Sequence, residues 1–486
     1  SALLVEDGVQ PGRAVHGFPL FALLTLPAGG PRKRAGRRRL SVGMETCKSW
    51  NGKVAEPAAV GQSIGCFLRS RGPTIFLFQI ATPRSVMSFS ANVERLKPSA
   101  TIAVSTLAKS LVAEGRDIVN LGAGEPDFDT PLFIADAAVH GVRSGRTRYT
   151  PPAGLPELRK AIANHLAARS GREINWQGVV VSAGVKQALF NTFFSLCGPG
   201  DEVLVAAPYW TTYPDLVMLA RAEPVTVFGA EANSFKVVPS DLARVVSENT
   251  KGLVLNTPCN PTGAVYSLEE LKELSAWAKG RGVWIVSDEI YRNVYFGEEA
   301  GAAPGILDLP EADVGNFILV DGASKSYAMT GWRVGFSYSS VEVAQKFSAL
   351  QSQITSNTAT PSQVAALEAF RNVEAASSAI AEMGVAFRRR RDLVITLMDQ
   401  LLPGVPYLRP EGAFYLYFRV DGLLEADESD ATAWCSRLLQ EHGVALVPGA
   451  AFGDDRWVRL SFAAADALIE EAFERIVAMI RTGAAV

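Results

Sequence analysis

The sequence predicts an α/β protein: a mostly parallel sheet lying between helices, followed by a smaller α+β lobe. Three observations carry that prediction. Short apolar runs with few polar positions recur through the middle of the chain, the pattern of strands covered on both faces. Amphipathic stretches of helical period separate several of them, and that alternation is the mark of an α/β layer structure. After about residue 377 the texture changes to scattered strands and one closing helix.

In chain order, the strand candidates are Gly178–Ser182, Glu202–Ala206, Gly252–Asn256, Trp284–Ser287, Phe317–Val320 and Val334–Tyr338. Helical periodicity runs over Lys186–Leu196 and Leu268–Lys279. In the later part, strands are expected around Ala413–Val420 and Val444–Pro448, and an amphipathic helix near Leu468–Arg481. The four arginines Arg388 to Arg391 read as a solvated helix face rather than a nucleic-acid patch. The expected divisions are a leader over 1–88, an arm with part of the small domain over 89–133, a large domain over 134–376 and a small domain over 377–486. No internal repeat is visible.

Composition narrows the partners. The net charge of −3 is unevenly spread: residues 1–90 hold 12 Lys/Arg against 4 Asp/Glu, and the remainder 35 against 46. An acidic body argues against nucleic acid as the main partner. Five cysteines without a C-x-x-C pair, and four scattered histidines, argue against a disulfide scaffold and a zinc site. The longest early apolar run, Phe18–Leu26, contains Pro19 and is too short to span a membrane. Residues 1 to about 88 are rich in Gly, Pro, Ala, Ser and Arg, with a basic knot from Pro31 to Arg39. An Arg-rich, acid-poor leader reads as an organellar transit peptide. A basic nucleic-acid arm and a misplaced gene start are the alternatives.

The chemistry centres on Lys325. It follows the apolar run Phe317–Val320, and Arg333 lies eight residues on. A lysine amine condenses with an aldehyde, and an arginine fork holds a phosphate dianion. Pyridoxal 5′-phosphate (PLP) carries both groups. Asp288 ends another strand candidate, where it can pair with a protonated pyridine nitrogen. Tyr291, three residues later, can reach the ring's phenolic oxygen. The rigid turn Asn256–Gly263 presents Asn260. Gly184 and Val185 open a helix whose free amides favour a phosphate. Trp210 offers a flat face, and Arg459 a fork for a carboxylate. Each feature alone has a plainer structural reading, as a turn, a helix cap or a surface ion pair. Their joint order is what carries weight.

That joint order resembles the class I PLP-dependent aminotransferases from about Lys97 to Met479. Within them it is similar to the bacterial-type aspartate aminotransferase branch that includes the plastid aspartate/prephenate enzymes of plants and algae. The matching motifs are LKPSAT from Leu96, LGAGEPDFDTP from Leu121, RYTPPAGLPELR from Arg148, PYW ending at Trp210, NPTG from Asn260 and SDEIY from Ser287. They continue with SK at Ser324 and Lys325, MTGWRVG from Met329, EGAFY from Glu411, VPG from Val447 and VRLS from Val458. The resemblance implies the PLP-dependent transferase fold (aspartate aminotransferase-like), with a seven-stranded sheet in the large domain.

It also implies roles. Lys325 bonds to the cofactor and then moves the proton at the substrate Cα. Asp288 holds the ring nitrogen, Tyr291 and Asn260 the ring oxygen, and Trp210 one ring face. Arg333, Ser324 and the amides at Gly184 and Val185 hold the phosphate. Tyr149 reaches the phosphate of a neighbouring subunit, which implies a homodimer with shared sites. Arg459 clamps the α-carboxylate, with Gly124 leaving room beside it. Lys186 and Thr101 face the distal carboxylate of aspartate, glutamate or prephenate, the last giving arogenate. No metal, nucleic acid or membrane is implied. With the leader, the resemblance places the protein in the chloroplast, with mitochondrion or cytoplasm as alternatives. Two departures stand out: Val185 is bulkier than expected, and the Gly/Ala-rich segment Gly297–Gly305 does not match. The rival functions are another PLP chemistry on the same fold, such as a β-lyase or decarboxylase, and a PLP-sensing DNA-binding regulator. The regulator needs a winged helix ahead of the fold, and residues 1–88 lack helical period.

Overall fold

The computed structural model describes residues 65–66, 78–79, 89–96, 98–297 and 301–483. The chain divides into two units, Ser1–Ser88 and Phe89–Val486. In the first, two-residue strands Gly65–Cys66 and Phe78–Gln79 pair antiparallel. The basic knot, and with it the reading of a leader, lies outside the described residues. So do Lys97 and positions 298–300 of the unmatched segment.

In the second unit, seven strands form one sheet. Their spatial order is Val179–Ser182, Gly335–Tyr338, Phe317–Gly322, Trp284–Asp288, Thr250–Asn256, Glu202–Ala207 and Glu223–Phe228. Gly335–Tyr338 is antiparallel to both of its neighbours, and the remaining pairs are parallel. The six expected strands are all present. Their apolar runs follow from burial on both faces: every residue of Val179–Ser182 and Trp284–Asp288 is buried. The strand that sequence reading omits is the edge, Glu223–Phe228. Its polar residues and Pro224 hide it, yet an edge tolerates a proline because one side of it donates to no neighbour.

The expected helices are also present, with sharper limits. Leu268–Arg281 starts at a reciprocal cap, where Ser267 Oγ accepts from Glu270 N (3.2 Å) and Glu270 Oε2 accepts from Ser267 N (2.8 Å). It stops at Gly282, whose φ of 68° suits glycine. A second sheet is antiparallel, in the order Tyr407–Leu408, Tyr415–Arg419, Trp457–Ser461 and Val447–Pro448. Val444–Ala445 pairs in parallel with Val119–Asn120, which joins the start of this unit to its end. Helices Leu132–Arg143 and Val373–Leu401 run through the two points, 133/134 and 376/377, at which the sequence reading divides this unit.

The four arginines of the long helix Val373–Leu401 do not form a solvated face. Arg389 is exposed, but Arg390 is 6% exposed and binds Asp127 through two bonds of 2.7 and 2.8 Å. Arg388 donates to Phe296 O at 2.8 Å. Successive helical residues turn by about 100°, so four in a row cannot all face water on a helix that is buried along one side. The Arg390 pair fixes the loop 121–131 against this helix, and Asp466 of the closing helix Asp466–Gly483 adds a 3.4 Å contact to Arg390. Asp127 is 31% exposed on its side chain. Asp127→Ala is therefore expected to cost about 1–2 kcal/mol, less than a fully buried pair. A lowered urea midpoint with unchanged slope would register it.

Candidate active site

A cavity of ≈ 300 Å³ opens where the parallel strands end, the usual ligand position in open α/β sheets. Trp284–Asp288 delivers Asp288 at its last residue, and Thr250–Asn256 delivers Asn256. Phe317–Gly322 runs into the single turn Ala323–Ser326, which carries Ser324 and Lys325. Arg333 stands at φ 56° just before Gly335–Tyr338. The antiparallel sheet adds Tyr415 and Arg459 from paired strands.

Of the residues singled out in sequence, Thr101, Gly124, Val185, Lys186, Trp210, Asn260, Asp288, Tyr291, Ser324, Lys325, Arg333 and Arg459 all line this cavity. Gly184 sits directly behind Arg333. Its φ is +82°, and a Cβ there would fall 2.6 Å from Arg333 Nη2. The sequence predicts a free amide at Gly184, but that amide is engaged, donating to Ser182 O at 2.7 Å. The next amides of that helix start, those of Val185 and Lys186, have no intrahelical acceptor, as in the first turn of any helix. Tyr149 lies away from the cavity lining and is 91% exposed.

Three charged groups define the cavity, Asp288 and Arg459 buried and Lys325 part-buried. Asp288 is 2% exposed and pushed up to about 6 by burial, against the pull of hydrogen bonds from Tyr213 Oη (2.7 Å) and Ile290 N (3.2 Å). Lys325 Nζ donates to Gly124 O at 2.6 Å, and burial lowers its pKa to about 8. Arg459 is 2% exposed, with Nη1 on Asn260 Oδ1 (2.9 Å) and Nη2 on Gly122 O (2.8 Å). Its Nε has no partner, and no carboxylate pairs with it among the described residues. Aromatic faces take part of its charge, with Tyr415 at 4.4 Å and Phe452 at 5.0 Å from Cζ. Lys186 Nζ lies 5.1 Å from the Trp210 ring, and its pKa is lowered by burial and then by Arg333.

Sequence reading assigned no role to Tyr213, Asn256, Tyr415 and Gly122. Tyr415 closes a motif quoted above and Tyr213 lies three residues beyond another, so the signal was nearby without its meaning. Asn256 Nδ2 holds Asp288 O at 3.0 Å, and its Oδ1 accepts from Asn260 N at 2.8 Å. Gly122 acts through a carbonyl, which any residue possesses.

Comparison with known proteins adds a lineage to this geometry. Residues 116–476 match the family model for aminotransferase class I and II. The chain belongs to that family. It is 41% identical over 401 residues to the aspartate/prephenate aminotransferase of Cereibacter sphaeroides, covering 80% of this chain and 98% of that one. It is 41% identical to the aspartate aminotransferase of Streptomyces avermitilis, covering 82% and 97%. Among solved structures, the Thermus thermophilus aspartate aminotransferase with maleate aligns at a TM-score of 0.76 and 39% identity, covering 81% of this chain and all of that one.

Aminotransferases of this family depend on PLP, and the cavity suits it. The carboxyl of Asp288 is buried with no cation bonded to it among the described residues, the setting for a ring nitrogen that carries a proton. The concavity at Gly184 exists only because that residue lacks a Cβ. No helix of the described residues is long and apolar enough to cross a membrane, and no group of metal-binding side chains occurs among them. Gly184→Ala is expected to displace the Arg333 guanidinium and strain the backbone. PLP retention should weaken by about tenfold or more, measured as a dissociation constant by dialysis.

Proposed function

We propose that this chain is an aspartate aminotransferase that moves an amino group between aspartate or glutamate and the oxo acids oxaloacetate and 2-oxoglutarate, and that it also converts prephenate to arogenate. The observation that carries the proposal is a pair of cations on different walls of one cavity. Arg459 comes from the strand Trp457–Ser461 and Lys186 from the helix Val185–Leu196. Two separated cations select a dicarboxylate. The names of the relatives, aspartate and aspartate/prephenate aminotransferases, support the same reading.

When bound, PLP supplies an aldehyde for amines and a pyridinium that draws electrons from the substrate Cα. The protein groups divide the remaining work. Asp288 keeps the ring nitrogen protonated, aided by Tyr213 and Asn256. Tyr291 and Asn260 serve the ring oxygen, and Trp210 covers a face. Arg333, Ser324 and the amides of Val185 and Lys186 hold the phosphate. Lys325 takes and returns the α-proton, and burial, which lowers the pKa of its amine, favours the neutral base. Arg459 fixes the α-carboxylate beside Gly124, while Lys186 and Thr101 meet the distal one. Donor and acceptor use the same cavity in turn, which gives ping-pong kinetics.

Tyr149, exposed on its own chain, serves the phosphate of a second copy, so the working form is a homodimer. Within each copy, 89–133 and 377–486 form the lobe that closes on 134–376. Residues 1–88 act as a plastid transit peptide, a reading supported by their basic, acid-poor composition.

The deciding experiment assays purified enzyme with aspartate and glutamate against oxaloacetate, 2-oxoglutarate and prephenate. Release of ammonia or carbon dioxide in place of an oxo acid would instead mark a lyase or decarboxylase. Lys325→Ala should abolish multiple turnover, and substantial remaining turnover would refute the assignment. Lys186→Ala should reduce kcat/KM for aspartate by about tenfold or more while leaving an apolar amino acid nearly unaffected. In cofactor-free protein, uptake of PLP needs the neutral Lys325 amine. Its rate should climb about tenfold per pH unit and level off near pH 8. A plateau near the ordinary lysine value would contradict the buried amine.

A further inference from the structure

Tyr415 is fully buried and lines the cavity. Its hydroxyl lies 2.7 Å from the hydroxyl of Tyr291. Its ring face lies 4.4 Å from the Arg459 guanidinium carbon. A Cβ on Gly124 would come within 2.8 Å of its hydroxyl, so it also packs against the residue whose carbonyl accepts from Lys325. One side chain thus touches the carboxylate fork, the Tyr291 hydroxyl and the loop beside the reactive lysine.

We infer that Tyr415 is a positioning residue that couples the two halves of the site. Its ring seats Arg459 for the substrate carboxylate, and its hydroxyl sets the strength of Tyr291 as a donor. This inference rests on the aminotransferase reading, in which Tyr291 donates to the ring oxygen of PLP. Tyr291 has one hydroxyl proton. If that proton goes to the cofactor, the bond between the tyrosines must run from Tyr415 to Tyr291. A donor behind a donor polarises it, so Tyr291 supports negative charge on the ring oxygen more strongly. The charged and titratable groups facing this pair are Arg459, Asp288 and Lys325, and the last lies 5.8 Å from the Tyr291 ring. None of them is altered in the variants below.

The two roles separate by substitution. Tyr415→Phe keeps the ring and removes only the hydroxyl. Tyr415→Met keeps much of the volume and removes the ring face. The test uses PLP-loaded enzyme, with a pH titration of the visible absorbance and the dissociation constant for maleate, an unreactive dicarboxylate. Tyr415→Phe should raise the absorbance midpoint by about one pH unit, because the deprotonated form loses support. Maleate affinity should stay within about twofold of wild type, since the cation still lies on an aromatic face. Tyr415→Met should weaken maleate by about tenfold.

An unmoved midpoint in Tyr415→Phe overturns the hydroxyl's role, and unchanged maleate binding in Tyr415→Met overturns the ring's. A uniform loss of both readouts with a lowered melting temperature in Tyr415→Phe would mark a merely structural residue and likewise overturns the inference. If Tyr415→Met does not fold, Tyr415→Leu takes its place on the maleate readout, where unchanged binding likewise overturns the ring's role, and Tyr415→Phe still decides the hydroxyl's. A wild-type protein that shows no visible cofactor band, or no oxo acid from aspartate, would instead sink the aminotransferase reading itself.

Discussion

Charge held out of water without a matching partner is the condition on which this cavity rests. Arg459 is buried between two neutral oxygens and two aromatic rings. Asp288 is buried beside a tyrosine hydroxyl and a backbone amide. Lys325 spends its proton on a carbonyl. A buried charge that lacks its opposite is costly, and a protein retains such groups where a ligand is to supply what is missing. A carboxylate completes Arg459, and a protonated ring nitrogen completes Asp288. The perturbed lysine and aspartate both follow from the same burial.

Holding these groups apart takes a rigid frame. The large sheet fixes Asp288, Asn256 and Lys325 at adjacent strand ends, with registers set by Asn256 opposite Asp288 and Asp288 opposite Val320. The antiparallel sheet fixes Tyr415 and Arg459 independently. The loop 121–131 connects the two. Its Gly122 carbonyl takes Arg459, its Gly124 carbonyl takes Lys325, and its Thr130 hydroxyl holds Ala328 O at 2.7 Å. The Asp127–Arg390 pair anchors that loop from behind. A side chain far from the reacting atoms therefore bears on where both cations stand.

Much of the frame was legible because strands buried on both faces declare themselves as apolar runs, and the helices over 186–196, 268–279 and 468–481 by their period; others, such as Pro156–Ser170 and the long Val373–Leu401, went unnamed. The edge strand Glu223–Phe228 was hidden, since an edge is half solvated and can hold a proline. Arg388 to Arg391 misled because a run of like charge looks solvated, while the helix turns Arg390 into the interior. In the site, the residues with distinctive chemistry could be named. Those that serve through a backbone carbonyl, a common amide or a common hydroxyl, such as Gly122, Asn256 and Tyr415, could not, because nothing in their identity separates service at a site from service in a core.

The sequence by itself determined the layer order, the reactive lysine, the acid at a strand end and the two cations, because each is a residue type or a period that can be read locally. Only the tertiary structure decided that Arg459 lacks a countercharge among the described residues, that the Gly184 amide is already engaged while its missing side chain makes room for Arg333, and that Tyr415 bridges Tyr291 and Arg459. Apart from the local Gly184–Ser182 bond, those are statements about which atoms meet across about 45 to 340 positions of chain, set by packing that no local pattern encodes.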